Sequence, residues 1–318
     1  MTRALVWTLA GLLALGLASL MVGAVAIRTG ALFSDPEGLR LLMLSRLPRT
    51  LAALLTGASL AVAGVILQLL VRNRFVEPGT TGTTEAAMLG LLAATLLAPA
   101  MPIAGKMGVA AIAALAGMAG FLALIRRLPP AEPLLVPLVG ILYSGIIGAG
   151  TVFFAYQSDL LQYLGVWTNG EFSGVLAGRY ELLWVAGLVA GLAYLYADRF
   201  TIAGLGREAS IGLGLNHRQT VRLGLVTVSV VTAMVVVTVG TVPFVGLVVP
   251  NIVARLMGDN LRASLPVMAG MGGGLVLASD LIGRIVRYPY EIPAGTVFGA
   301  LGAAIFLWLL LGPPARAR

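Results

Sequence analysis

The sequence predicts an all-α polytopic membrane protein with about ten transmembrane helices, and three observations predict it. Hydrophobic residues make up 59% of the 318 and charged residues only 11%, where a soluble domain carries about 25% charged. Several apolar runs reach the ~20 residues needed to cross the hydrocarbon, a length that suits helices rather than barrel strands. The 41 glycines suit helices that pack in a bilayer, because small residues let backbones approach closely. The net charge of +8 and pI near 10.4 read as the positive-inside bias of a membrane protein, not as a nucleic-acid footprint. A chain with no cysteine has no thiolate metal site, iron–sulfur cluster or disulfide.

Taken in order, the chain opens with Arg3 and an almost unbroken apolar run to Ile27. Ala24-Val25-Ala26 imitates a signal-peptide cleavage site, but the run exceeds the ~7–15 residues of such a peptide, so it reads as a first spanning helix. Spans follow near 48–70, 83–100, 107–125, 134–156, 180–197, 222–240, 244–257, 265–283 and 294–311, the first lying at 4–27. The eighth is short and is interrupted by Gly246 and Pro250. Residues 157–179 are too polar to span and read as an extracytoplasmic interfacial or re-entrant segment. The whole, 1–318, reads as a single transmembrane domain. One polar island, Asp198–Arg222, holds four arginines, two acids and the only histidine. It is either a solvated linker or a helix pair offered to a partner at the membrane surface.

With both termini placed inside, thirteen of the 21 cations fall inside, a bias that agrees with the rule without being overwhelming. The exceptions cluster: Arg46 and Arg49 enter the second span, and Arg284 and Arg287 leave the ninth. Positive charge kept on the disfavoured face fits either an acidic docking partner or snorkelling to the headgroups. Asp280 and Arg284, at i and i+4, read as a structural pair on one helix face.

Five stretches share a pattern. They are RLPRTL at Arg46–Leu51 with Gln68 downstream, the turn RNRFVEPGTTG at Arg72–Gly82, and the glycine-rich run at 204–214. The others are FVGLVVPN at Phe244–Asn251, followed by an arginine and a GDN segment, and the series Asp280, Arg284, Glu291-Ile292-Pro293. In this order and spacing the chain resembles, over nearly its whole length, the FecCD-type permeases of binding-protein-dependent ABC importers for ferric siderophores, haem and cobalamin. It departs from that family at Asn251, where histidine is usual; asparagine keeps hydrogen bonding but does not titrate near neutral pH, so capping or packing is the expected role.

The resemblance implies a FecCD-type permease fold in a bacterial cytoplasmic membrane, paired with a second permease subunit, identical or paralogous. Two ATP-binding subunits would dock on the cytoplasmic side and an extracytoplasmic solute-binding protein on the other. It makes Arg46, Arg49 and Arg284 docking residues for that binding protein, with Arg287 added by proximity. It makes the island at 198–222 a coupling loop of two short helices seated on the ATPase. There Gly204, Gly206, Gly212 and Gly214 supply tight turns and close approach beside Ala209, and Arg207, Glu208 and Arg218 form the polar rim. Along the fifth span Tyr143, Ser144 and Thr151 are expected on the translocation path, unless the glycines there mark only a packing face. Glu85 joins them as a charge at depth or is an interfacial first-turn acid favoured by the helix dipole.

The expected function is therefore passage of a ferric siderophore without cofactor, resident metal or catalysis, haem and cobalamin being the other cargoes the family takes. GLGREAS lacks the lysine and spacing of a phosphate-cradling loop, so ATP hydrolysis belongs to another chain. His217 among arginines reads as a surface residue, since no His/Asp/Glu group has ligand spacing. An ion-coupled secondary transporter would place paired acids at mid-membrane, whereas the acids here fall mostly near span ends. An intramembrane enzyme would need a constellation inside the spans.

Overall fold

The computed structural model describes residues 2–22, 36–128, 135–258 and 260–311. Ala24–Ala26, Arg28, Asp259 of the GDN segment, Arg316 and Arg318 lie outside them. Within that range every regular element is a helix. Eight helical stretches are long and apolar enough to cross a membrane, and two shorter apolar helices, Thr83–Leu97 and Val245–Met257, accompany them. Together they fall where the ten runs were expected.

In chain order the helices are α1 (Thr2–Met21), α2 (Pro36–Leu41), α3 (Leu47–Val71), α4 (Thr83–Leu97), α5 (Ile103–Ile125), α6 (Leu135–Gln157) and α7 (Leu161–Asn169). There follow α8 (Leu183–Ala193), α9 (Ala197–Gly204), α10 (Arg207–Gly212), α11 (His217–Val239), α12 (Val245–Met257), α13 (Leu261–Val286) and α14 (Ala294–Leu311).

The second span does not begin at Pro48. Helix runs unbroken from Pro36 through a π turn at Leu42–Arg46 into α3. Proline has no N–H to give the carbonyl four residues back, and here that carbonyl, of Leu44, accepts from the backbone N of Ala177 at 2.9 Å. The π turn and this borrowed donor let the helix pass through a residue that would otherwise end it.

α3 is the central strut. It is buried along most of its length and touches α13, α12, α11 and α8. The contacts are possible because its inner face is small. A Cβ built on Gly57 would lie 2.1 Å from the carbonyl oxygen of Gly272 in α13, and one on Gly64 would lie 2.1 Å from that of Gly246 in α12. Backbone therefore meets backbone twice along one helix, the arrangement that small residues permit between membrane helices.

The polar island is shorter than the sequence suggests. The sixth span starts at Leu183 and runs on through a 3-10 turn at Tyr194–Tyr196 and α9 to Gly204, taking in Asp198–Gly204. The seventh begins at His217 rather than 222, because the Asn216 side chain accepts from Gln219 N at 3.1 Å and caps α11. Between the end of α6 at Gln157 and residue 179 the only helix is the nine-residue α7. The segment after it is tied to the ends of α11 and α14 by Glu171 N–Val239 O and Gly295 N–Gly170 O, at 2.8 and 2.9 Å.

Candidate functional site

Three places in the bundle gather the chemistry-bearing residues. The first is where the recognised turn and the FVGLVVPN stretch meet. Pro250 stands inside α12 and offers no N–H to the Gly246 carbonyl. Gln68 of α3 supplies the missing donor, Nε2 to Gly246 O at 3.1 Å. Asn251 Nδ2 donates to Arg74 O at 2.9 Å and to Leu247 O at 2.7 Å, so the asparagine ties α12 to the turn after α3. Glu77, 5% exposed, shares a capping box with Thr80, and its Oε1 accepts from Phe244 N at 3.0 Å at the start of α12. A carboxylate there faces the positive end of the helix dipole. Sequence reasoning picked out these residues as separate motifs and missed that they form one clamp; the proline inside α12 was the signal that a donor had to arrive from elsewhere.

The second place is the end of the bundle where α3 begins. Asp280 in α13 is 2% exposed and takes both Arg49 and Arg284. Arg49 Nη2 lies 2.7 Å from its Oδ1, and Arg284 binds its Oδ2 in the i, i+4 pair the spacing predicts. Arg49 also reaches Glu291, Nη2 to Oε2 at 2.9 Å. Arg284 donates onward to Ser19 O and Val22 O, at 3.1 and 2.8 Å, and Arg46 donates to Leu20 O and Met21 O, at 2.8 and 3.2 Å. Two guanidinium groups thus hydrogen-bond the last described carbonyls at the end of α1, from Ser19 to Val22, where cations are favoured. Of the four arginines expected to receive a docking partner, Arg46 and Arg284 are 5% and 4% exposed and turned inward. Arg49 is mostly covered, and Arg287 alone is exposed, with its guanidinium 5.7 Å from the Tyr290 ring centre.

The third place is α9 and α10 at the opposite end. Gly206 has φ 103°, and a Cβ on it would come 3.1 Å from Arg72 Nη1, so only glycine fits the turn between the two short helices. Ser210, buried, donates to Ile202 O at 2.9 Å and lies 3.3 Å from His217 Nδ1. It staples α10 to α9 and to α11, and sequence reasoning missed it because a lone serine carries no pattern. Gly204 packs on Leu69, while Gly212 and Gly214 have open space around them. Arg207, Glu208, Ala209 and Arg218 are exposed.

The residues expected on the path divide. Ser144 and Thr151 line one cavity of about 440 Å³ with Glu85, walled by α4, α6 and α7. Ser144 donates to Gly79 O at 3.1 Å and Thr151 to Ile147 O at 2.9 Å. Glu85 Oε2 is enclosed with no hydrogen-bond partner among the described residues. Tyr143 points the other way, its hydroxyl donating to Gly117 O of α5 at 3.0 Å. Cysteines at Ser144 and Thr151 are expected to react with a small aqueous thiol reagent while one at Tyr143 stays protected. Protection at all three would remove this cavity from any aqueous route.

Comparison with known proteins adds the family-wide context. The profile of the FecCD transport family matches residues 11–312. The ferric-anguibactin transport system permease protein FatD of Vibrio anguillarum is 42% identical over 267 residues, 84% of this chain and 85% of that protein. The petrobactin import system permease proteins YclN of Bacillus subtilis and FatD of Bacillus anthracis are 41% and 37% identical, covering 87% and 96% of this chain and 87% and 90% of theirs. Among solved structures, a metal-chelate type ABC transporter in an inward-facing conformation superposes with a TM-score of 0.82 over 98% of this chain and 99% of that one. At 23% identity that likeness speaks for the fold alone.

Proposed function

The chain belongs to the FecCD transport family, and from that premise we propose that it is the membrane-spanning permease of a binding-protein-dependent ABC importer that carries a ferric siderophore inward. One observation carries the reading. The family match covers residues 11–312, and relatives whose names specify siderophore transport align over more than four-fifths of both chains. The protein is a multi-pass membrane protein; placement in the bacterial inner membrane with both termini cytoplasmic is part of the proposal.

In this reading two permease subunits enclose the path, and ATP hydrolysis comes from two cytoplasmic subunits, this chain performing no catalysis. The arginine cluster faces outward from the cell. The acidic lobes of a binding protein compete with Glu291 and Asp280 for Arg49, meet Arg287 directly, and through Arg49 disturb Arg46 and Arg284 beneath. Ser144, Thr151 and Glu85 lie beside the path. A weakly polar lining suits a bulky chelate that must not bind tightly on its way through, and the iron arrives already ligated, so the permease needs no metal ligands.

The reading is tested in proteoliposomes holding the permease and its ATPase subunits, with ATP inside and loaded binding protein outside. Uptake is expected to stop with vanadate or with a hydrolysis-dead ATPase. Uptake that survived ATP depletion and collapsed with an ion gradient would overturn the assignment.

The exposed edge of α9–α10 carries the coupling proposal. Gly204 and Gly206 hold the turn, and Arg207, Glu208, Ala209, Gly212, Gly214 and Arg218 present the surface that sits on the ATPase. A Cβ on Gly212 meets no described atom within 4 Å, and Gly212 and Ala209 are both exposed. Gly212→Trp or Ala209→Trp is therefore expected to leave insertion and thermal stability within about 0.5 kcal/mol of wild type while uncoupling hydrolysis from uptake. Normal transport in both variants would reduce the island to a linker.

A further inference from the structure

A cleft of about 990 Å³ opens at the α10 end of the bundle, walled by α3, α5, α10 and α11. Its rim is cationic from three separate elements: Arg126 at the end of α5, Arg207 in α10, and Arg218 and Arg222 on successive turns of α11. All four are exposed, none makes an ion pair with a described residue, and no carboxylate lines the cleft. Its floor is apolar, with Leu122 and Leu225 lying one turn deeper along the same two spans. The first turn of α11 contains no acid, although the positive end of a 23-residue helix favours one. The arginines there add to that charge instead of offsetting it, and an anion in the cleft would offset both.

Positive charge at the rim and apolar surface at depth, stacked along one membrane-crossing direction, is the pattern of an amphiphile's headgroup over its acyl chain. We infer that this cleft binds an anionic phospholipid of the surrounding leaflet, its phosphate held by Arg126 and Arg222 and its chain laid on Leu122 and Leu225. Basic pockets between spans on the cytoplasmic side favour such headgroups. The inference rests on the orientation proposed above, because it places the cleft at the cytoplasmic leaflet. Arg207 of α10 and Arg218 in the first turn of α11 also border the cleft, so an occupied cleft would also support the surface offered to the ATPase.

The test uses the assembled transporter, purified and reconstituted into nanodiscs of phosphatidylcholine with an equal share of phosphatidylglycerol, and native mass spectrometry of the lipid retained on delipidation. The variants are Arg126→Ala/Arg222→Ala and the charge-keeping Arg126→Lys/Arg222→Lys. Wild type is expected to retain phosphatidylglycerol over phosphatidylcholine. The alanine pair is expected to lose about thirtyfold in that preference, the factor expected for two surface arginines, and the lysine pair to keep most of it. Circular dichroism and monodispersity guard against misfolding. Equal retention in wild type and the alanine pair overturns the proposal. So does displacement of the lipid by inorganic phosphate alone, which would make the cleft a free-anion site. Unchanged lipid retention with loss of ATPase assembly in the alanine pair would give the surface to the partner protein and overturn it as well. Failure of the transport assignment itself would appear in the uptake assay and leave the lipid readout intact.

Discussion

Gly57→Val is expected to abolish accumulation of folded protein in the membrane. The added Cβ alone would stand 2.1 Å from Gly272 O and 2.9 Å from Gly273 Cα, and both are backbone atoms with no rotamer to yield. Overpacking that side chains can absorb costs about 1–3 kcal/mol. Here α3 and α13 must separate bodily, and α3 is the helix against which most of the bundle packs. The loss is expected well above that range. Gly64→Val, opposite Gly246 O at 2.1 Å, is expected to behave alike. Gly191→Ala in α8, where a Cβ meets nothing, is the control and is expected to gain up to about 0.5–1 kcal/mol from helix propensity. Thermal unfolding followed by fluorescence-detected gel filtration measures all three. A Gly57→Val protein that accumulates and melts like wild type would show that the two helices do not pack as described.

Asp280→Ala has the second largest expected effect. It removes the carboxylate shared by Arg49 and Arg284 and leaves the latter guanidinium buried without a counter-charge. Breaking a buried pair by deleting one partner costs about 3–5 kcal/mol, whereas replacing the whole pair with apolar groups of similar volume is often neutral. Arg49 keeps Glu291, so the cost concentrates on Arg284. Asp280→Ala/Arg284→Met is therefore expected to recover a good part of the stability, and a double-mutant cycle isolates the coupling. The comparison is Asp198→Ala, which removes an ion pair to Arg262 in which both side chains are more than half exposed and which is expected to matter by about 0–1 kcal/mol. Equal melting of the Asp280→Ala and Asp198→Ala proteins would refute the claim that the cluster is a structural keystone. The same cluster bears on docking. In the docking proposed above, a binding protein that engages Arg49 would have to draw it from Asp280 and Glu291, and Asp280 also holds Arg284 at the end of α1.

The number, order and approximate limits of the spans were legible in the sequence, because a bilayer demands about 20 apolar residues from any helix that crosses it alone. The pairing of Asp280 with Arg284 was legible too, from helical spacing. Several boundaries were not, among them the end of the sixth span, which runs on to Gly204. The helix before Pro48 continues because Ala177, distant in sequence, donates to Leu44 O, and α11 starts early because Asn216 caps it. A proline signals the missing donor, but only the fold says whether another segment provides one.

For function, composition and motif order determined a membrane permease of one family, since these depend on residue type and spacing alone. What the motifs do to one another was decided by tertiary structure. Gln68 completes the helix that Pro250 interrupts, and Glu77 caps it. Arg46 and Arg284 close the end of α1, and Tyr143 turns away from the cavity that holds Ser144 and Thr151. The reason is common to all four. A side chain's partner in a bundle is set by which helices are neighbours and how they are rotated, and hydrophobicity along the chain specifies neither.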